Sequence, residues 1–123
     1  MPEVERDIEN VRKGIELFGA RESEIIEREN LDFEAFSQLL NTIKGAISAN
    51  WFSGNKKTLV FVYYAGHGVM RNFTYAVCNS ATKSARVQYP LEKQLRTIGY
   101  IDGAYVIGIF DCCREEFTPA MRG

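Results

Sequence analysis

The sequence predicts an α/β domain in which a mostly parallel sheet is sandwiched between two layers of helices. Three observations predict it. Thr58-Leu-Val-Phe-Val-Tyr-Tyr64 and Ala104-Tyr-Val-Ile-Gly-Ile-Phe110 are near-continuous runs of apolar residues, many β-branched or aromatic, the pattern of strands covered on both faces. Before and between them, apolar residues recur at helical spacing, which gives the alternation helix, strand, helix, strand, crossover helix, strand. Both apolar runs lead directly into residues that carry chemistry: Ala65-Gly-His-Gly68 after the first and Asp111-Cys-Cys-Arg114 after the second.

From Val4, apolar residues fall at Ile8, Val11, Ile15 and Phe18, a single stripe along a helix that Gly19 would end. Glu3, Glu5, Arg6, Asp7, Arg12 and Lys13 fill its other side as a solvated face. Ser23-Glu-Ile-Ile-Glu-Arg28 reads as a short strand. Asp32 is placed to cap a second helix, in which Phe36, Leu40, Ile43 and Ile47 repeat and Leu31 packs back on Phe36 as a staple. Ser53-Gly-Asn55 then breaks the chain before the strand at Thr58. Beyond Gly68, Val69 to Asn72 read as a crossing into a short edge strand, Phe73-Thr-Tyr-Ala-Val77, and Lys83 to Gln88 as a polar loop. Pro90 suits the first turn of a helix carrying Leu91, Leu95 and Ile98, which Gly99 ends. Glu115 to Gly123 shows no periodicity and reads as a loop.

Composition fits one ordinary domain spanning residues 1–123, with 46% hydrophobic and 25% charged residues. Fifteen basic residues against 16 acidic ones leave a formal charge of −1, and no basic cluster is interleaved with aromatics, so nucleic acid is not an expected partner. No apolar run has the length of a membrane span, and Met1-Pro-Glu-Val-Glu-Arg6 lacks the apolar core of a signal peptide; the expected location is the cytoplasm. The three cysteines, two of them adjacent, form neither a disulfide framework nor a zinc-ligand spacing, so reduced thiols and no metal are expected.

In a parallel sheet the ligand crevice lies outside the carboxyl ends of the strands. If the two apolar strands are parallel neighbours, His67, the only histidine in the chain, meets a cysteine at one edge. An imidazole beside a thiol generates or stabilises the nucleophilic thiolate. Adjacent side chains leave an extended backbone on opposite sides, so only one of Cys112 and Cys113 faces the histidine, and spacing alone does not choose between them. Glycine permits close backbone approach, so the Gly68 N–H, together with that of the nucleophilic cysteine, is a candidate oxyanion hole. Each residue also has a plainer reading: a hydrogen-bonded structural histidine, a pair of small buried cysteines, and an aspartate at Asp111 that caps a loop.

Tyr63-Tyr-Ala-Gly-His-Gly68 and Asp111-Cys-Cys-Arg114 resemble the histidine and cysteine motifs of the caspase-like cysteine peptidases, most closely the metacaspases and paracaspases. Caspases place the histidine about 50 residues before the cysteine; here the separation is 46 (113 − 67). The resemblance implies that Cys113, the position before Arg114, is the nucleophile and Cys112 its neighbour. It further implies that His67 is the general base, that Gly68 and Cys113 supply the oxyanion-hole amides, and that Asp111 lines an acidic pocket for an Arg or Lys side chain of a polypeptide substrate. An acid pocket of that kind favours arginine and repels acidic side chains. No organic cofactor is implied, and no acidic run forms a calcium loop.

The resemblance runs along the family's large-subunit segment. The family's leading strand, which carries a second pocket acid, and its small-subunit segment fall outside the chain, so the expected fold is an incomplete caspase-like sheet with unpaired edges that another chain or segment completes. Glu115-Glu116 stand where the family usually has glycine; close to the thiol they would disfavour the thiolate, and otherwise they face solvent. Two other functions are compatible with an α/β domain. One is a catalytically idle caspase-like subunit with a structural or regulatory role. The other, a nucleotide-binding domain, lacks a G-x-G-x-x-G or P-loop.

Overall fold

The structure, a computed structural model, describes residues 2–17, 19–21, 24–78 and 87–116, with residues 2–4 and 113–116 described by their backbone alone. Over the described residues the chain is an α/β fold with three helices and a four-stranded mixed sheet. In order these are α1 (Pro2–Leu17), α2 (Phe33–Phe52), β1 (Thr58–Arg71), β2 (Phe73–Val77), β3 (Gln88–Tyr89), α3 (Leu91–Ile98) and β4 (Ala104–Glu116). The sheet order is β3-β2-β1-β4, with β4 parallel to β1 and the other pairs antiparallel. The sheet is thus mixed where the sequence predicts a mostly parallel one, because β2 returns directly after β1 and β3 pairs antiparallel to β2.

The helices form where periodicity places them, and their ends follow local chemistry. After α1, the Gly19 amide donates to the Glu16 carbonyl and that of Ala20 to Ile15, which satisfies two carbonyls of the last turn. Asp32 caps α2, its Oδ1 accepting from the Ala35 amide at 2.8 Å. At the other end of α2, Asn50 Nδ2 donates to Thr58 Oγ1 at 2.7 Å, which ties the helix to the start of β1. The α3 helix buries Leu91, Leu95 and Ile98 and ends at Gly99, whose amide returns to the Leu95 carbonyl.

One face of the sheet carries the core. Val60 of β1 and Ala76 of β2 pack with Phe36, Leu40 and Ile47 of α2 and with the apolar side of α3, while Val62, Tyr64, Val106 and Phe110 join from the same face. Ile47 and Ile98 are fully buried. A single polar side chain is buried among the described residues, Thr74, and its strand is bound to α3 through Glu92. Glu92 Oε1 accepts from the Thr74 amide at 2.9 Å, and Oε2 accepts from Arg96 at 2.9 and 3.0 Å. Burial works to raise the Glu92 pKa, but the Thr74 amide and the Arg96 guanidinium outweigh it, and the net direction is down.

A carboxyl whose folded pKa is depressed contributes stability above its unfolded value and loses it as pH falls through the folded one. Glu92→Gln is therefore expected to lower stability at neutral pH by about 1 kcal/mol. The gap between the two proteins should close on acidification; urea midpoints at a series of pH values check this, and a pH-independent gap would remove the charge from the account.

Four further features depart from the sequence reading. The strand expected over 23–28 does not form: residues 25–29 are irregular, residue 23 lies outside the described residues, and Ile26 is exposed. Two adjacent isoleucines point to opposite sides of an extended chain, so they make no one-sided apolar face. Neither apolar strand stops with its apolar run. β4, paired with β1, takes in Glu115 and Glu116, which the sequence reading places in a loop. β1 continues through His67 to Arg71 because β2 folds back on it from Arg71↔Phe73 to Gly68↔Ala76. Asn72 makes that reversal at φ 64, in the left-handed region that asparagine tolerates. β2 is covered at its far end by β3, so Gln88 belongs to a strand, while residues 83–86 of the expected loop lie outside the described residues.

The fourth departure concerns cover. Both apolar runs read as strands buried on two faces, yet the second face is open: Leu59, Phe61, Tyr105, Ile107 and Ile109 are all exposed. α1 meets β1, but none of its described side chains belongs to the buried core. Two edges are also open among the described residues. β4 pairs only with β1, and β1 from Thr58 to His67 pairs only with β4.

Candidate active site

β1 and β4 run parallel in unbroken register from Thr58↔Ala104 to Met70↔Glu116. That register sets Ala65 against Asp111, Gly66 against Cys112 and His67 against Cys113. Neighbours in a parallel ladder share a face, and alternate residues along each strand share it too. Tyr63, Ala65 and His67 of β1 and positions 111 and 113 of β4 thus lie on the open face, all but Tyr63 in the carboxyl half of their strands. His67 is exposed there, and so is Asp111.

Cys112 belongs to the other face. Its Sγ lies where a side chain at Gly68 would project, 2.7 Å from the position a Cβ would take. The pleat therefore separates the two cysteines, which spacing alone could not do. The Cys113 backbone sits opposite the histidine; the side chains of Cys113, Arg114, Glu115 and Glu116 lie outside the described residues. Cys78, the remaining cysteine, is buried beneath the sheet, and burial followed by the charge of Asp32 pushes its thiol pKa up, the opposite of activation.

Both glycines beside His67 are extended and serve by leaving space. At Gly66 a Cβ would stand 2.8 Å from the Tyr64 hydroxyl, and that hydroxyl donates to the His67 carbonyl at 2.7 Å. Burial is the main cause that raises the Tyr64 pKa to about 12, so this donor stays protonated. Gly68 is buried and stands between Ala76 of β2 and Arg114 of β4 in the ladder.

Gly68→Ala is expected to cost about 1–3 kcal/mol, the usual cost of overpacking. Cys112→Ala in the same chain should recover more than half of it, because the next atoms around the added methyl are 3.5 Å away. A double-mutant cycle in urea measures the coupling, and purely additive losses would show that the Cys112 sulfur is not what excludes a side chain at 68.

Two tyrosines bear on the site beyond the residues singled out from sequence. Tyr64 anchors the histidine backbone from below. Tyr63, on the open face, donates its hydroxyl to Asp111 Oδ2 at 2.6 Å. It reaches diagonally, since its own register partner is Ile109 and the residue opposite Asp111 is the small Ala65. The hydrogen bond to Asp111 is the largest cause raising the Tyr63 pKa to about 12, ahead of burial and of the charges of Asp111 and Asp7. The signal that could have found Tyr63 is parity: it stands four residues before His67 in a strand, on the same face.

The arrangement supplies an imidazole at the register position opposite a cysteine, with a carboxylate one same-face step along β4. Among the described residues no three His, Cys, Asp or Glu side chains converge as metal ligands, and no helix is long and apolar enough to cross a membrane. A shallow depression lined by Lys57, Leu59, Tyr105 and Ile107 lies on the open face at the opposite end of the strands. Compared with protein-family models, curated proteins and solved structures, the chain matches none of them.

Proposed function

We propose that the chain carries the catalytic dyad of a caspase-like cysteine endopeptidase that cleaves after arginine or lysine. The observation that supports this reading most directly is the His67↔Cys113 register across two parallel strands, with Asp111 on the same face. His67 takes the thiol proton of Cys113, and the thiolate attacks the scissile carbonyl carbon to form a C–S bond. The oxyanion is held by the amides of Gly68 and Cys113; Gly68 is flanked by strands on both sides, so its N–H must be released from the ladder as the intermediate forms. His67 then gives its proton to the departing amine as the C–N bond breaks, and water, deprotonated by His67, hydrolyses the thioester. Asp111 receives the basic P1 side chain, and no step uses a metal or an organic cofactor.

A second reading is favoured by the open face and the two open edges. Exposed apolar strands with unpaired backbone are an invitation to strand addition. In this reading the chain is a structural or regulatory subunit, and the partner is a chain or segment that completes the sheet. The same surface serves the enzyme reading, in which the added segment finishes the substrate groove. The proposed location is the cytoplasm, where cysteines are ordinarily kept reduced.

Labelling with an arginyl peptide electrophile, applied to the protein in its native assembly and followed by mass-spectrometric mapping, separates the two. Modification of Cys113 that depends on His67 supports the peptidase. A folded protein with Cys113 unmodified would move the conclusion to the structural subunit.

A further inference from the structure

We propose that Tyr63 is a positioning residue for Asp111 that makes the site prefer arginine to lysine; the proposal rests on the peptidase reading above. Asp111 stands on an exposed strand, where a carboxylate with no neighbour would turn freely between orientations. Its register partner is Ala65, which offers no polar group. The Tyr63 hydroxyl supplies the missing restraint, with a 2.6 Å bond to Oδ2. A carboxylate has about four acceptor positions, so one phenolic donor leaves enough for both N–H groups of a guanidinium fork.

What the restraint changes is the plane of the carboxylate. A planar guanidinium binds bidentately when the carboxylate plane is already set, whereas an ammonium, a compact charge with three rotatable donors, is nearly indifferent to that plane. Fixing the plane therefore lowers the ordering cost of binding arginine and does little for lysine. The geometry is tied to the strands, because Tyr63 and Asp111 are carried by β1 and β4 in the same register that sets His67 against Cys113. A strand-to-strand clip with no role in recognition would use the same bond, so the test must read selectivity separately from stability.

The experiment compares inactivation of the native assembly by matched arginyl and lysyl peptide electrophiles, for the parent protein and for Tyr63→Phe, with a thermal melt of each. Because Tyr63 acts through the orientation of Asp111, its loss is worth a fraction of a hydrogen bond to a charged group and should slow the arginyl probe about 3–10-fold, mainly through weaker initial binding, and the lysyl probe less than about 2-fold. The arginine-to-lysine ratio thus falls while the limiting inactivation rate holds. A lowered melting temperature with an unchanged ratio overturns the proposal and leaves a structural clip. In the parent protein alone, equal rates or a faster lysyl probe overturn it without recourse to any variant. If neither probe labels Cys113, the peptidase reading falls and this inference falls with it, an outcome distinct from an unchanged ratio in a labelled enzyme.

Discussion

Cys113→Ala and His67→Ala are each expected to lower peptide-bond cleavage by about 10³-fold or more, while Cys112→Ala stays within several-fold of the parent. The size follows from chemistry. On the proposed mechanism, alanine at 113 removes the nucleophile and with it the covalent route, and alanine at 67 leaves a thiol without its base, a loss worth two to four orders of magnitude in such pairs. The asymmetry between neighbours follows from the pleat, because the Cys112 sulfur lies under Gly68 on the helix-covered face and cannot turn to a carbonyl on the other side. Turnover of an arginyl peptide amide, alongside a melt of each variant, checks the prediction. Equal loss in all three variants with lowered melting temperatures would indicate damage to the sheet. Full activity in Cys113→Ala would remove the dyad altogether.

Gly103→Ala is expected to destabilise the fold by about 3 kcal/mol or more. Gly103 takes φ +82, a conformation that costs an L-residue about 1–2 kcal/mol. Its position is also filled from above, since an added Cβ would stand 2.6 Å from Trp51 Cε3, a ring in the last turn of α2. Backbone must give way there, because Gly103 immediately precedes β4 and its carbonyl accepts from the Thr58 amide at 2.8 Å, where β1 begins. Three elements meet at this residue, so the strain cannot relax into solvent. Urea midpoints measure the loss; a change below about 1 kcal/mol would mean that Trp51 moves aside without consequence.

The helices were legible because each is specified by its own residues. Asp32, Gly19 and Gly99 act within a turn of where they stand, and the stripes of α2 and α3 are the residues that reach the core. Strand limits were not legible in the same way. The apolar run ends at Tyr64, but the ladder continues to Arg71 because β2 and β4 pair with it, and pairing partners far along the chain leave no mark on local composition. The isoleucines at 25 and 26 show the converse, strand-forming residues with nothing to pair with. For the site, two apolar runs each leading into reactive residues were enough to foresee that the backbones of His67 and a cysteine fall side by side. Choosing between Cys112 and Cys113 needed register, and the Tyr63 bond to Asp111 needed the diagonal of a real sheet. The open face was invisible for another reason: a sequence records that Ile107 and Ile109 are apolar, not whether anything covers them.

The continuous register of β1 on β4 makes the site a readout of the core. Sliding β4 by one residue would set Cys112 opposite His67, so the doubled cysteine looks like insurance against misalignment. It offers none, because the same slide turns the strand over: Phe110 and Val106 would leave the packed face and Ile109 and Asp111 would enter it. Alignment at the reactive end is thus enforced from the apolar end, by side chains that never approach a substrate. Substitutions that loosen Val106 or Phe110 should therefore surface as heterogeneity in which thiol reacts, well before the protein unfolds.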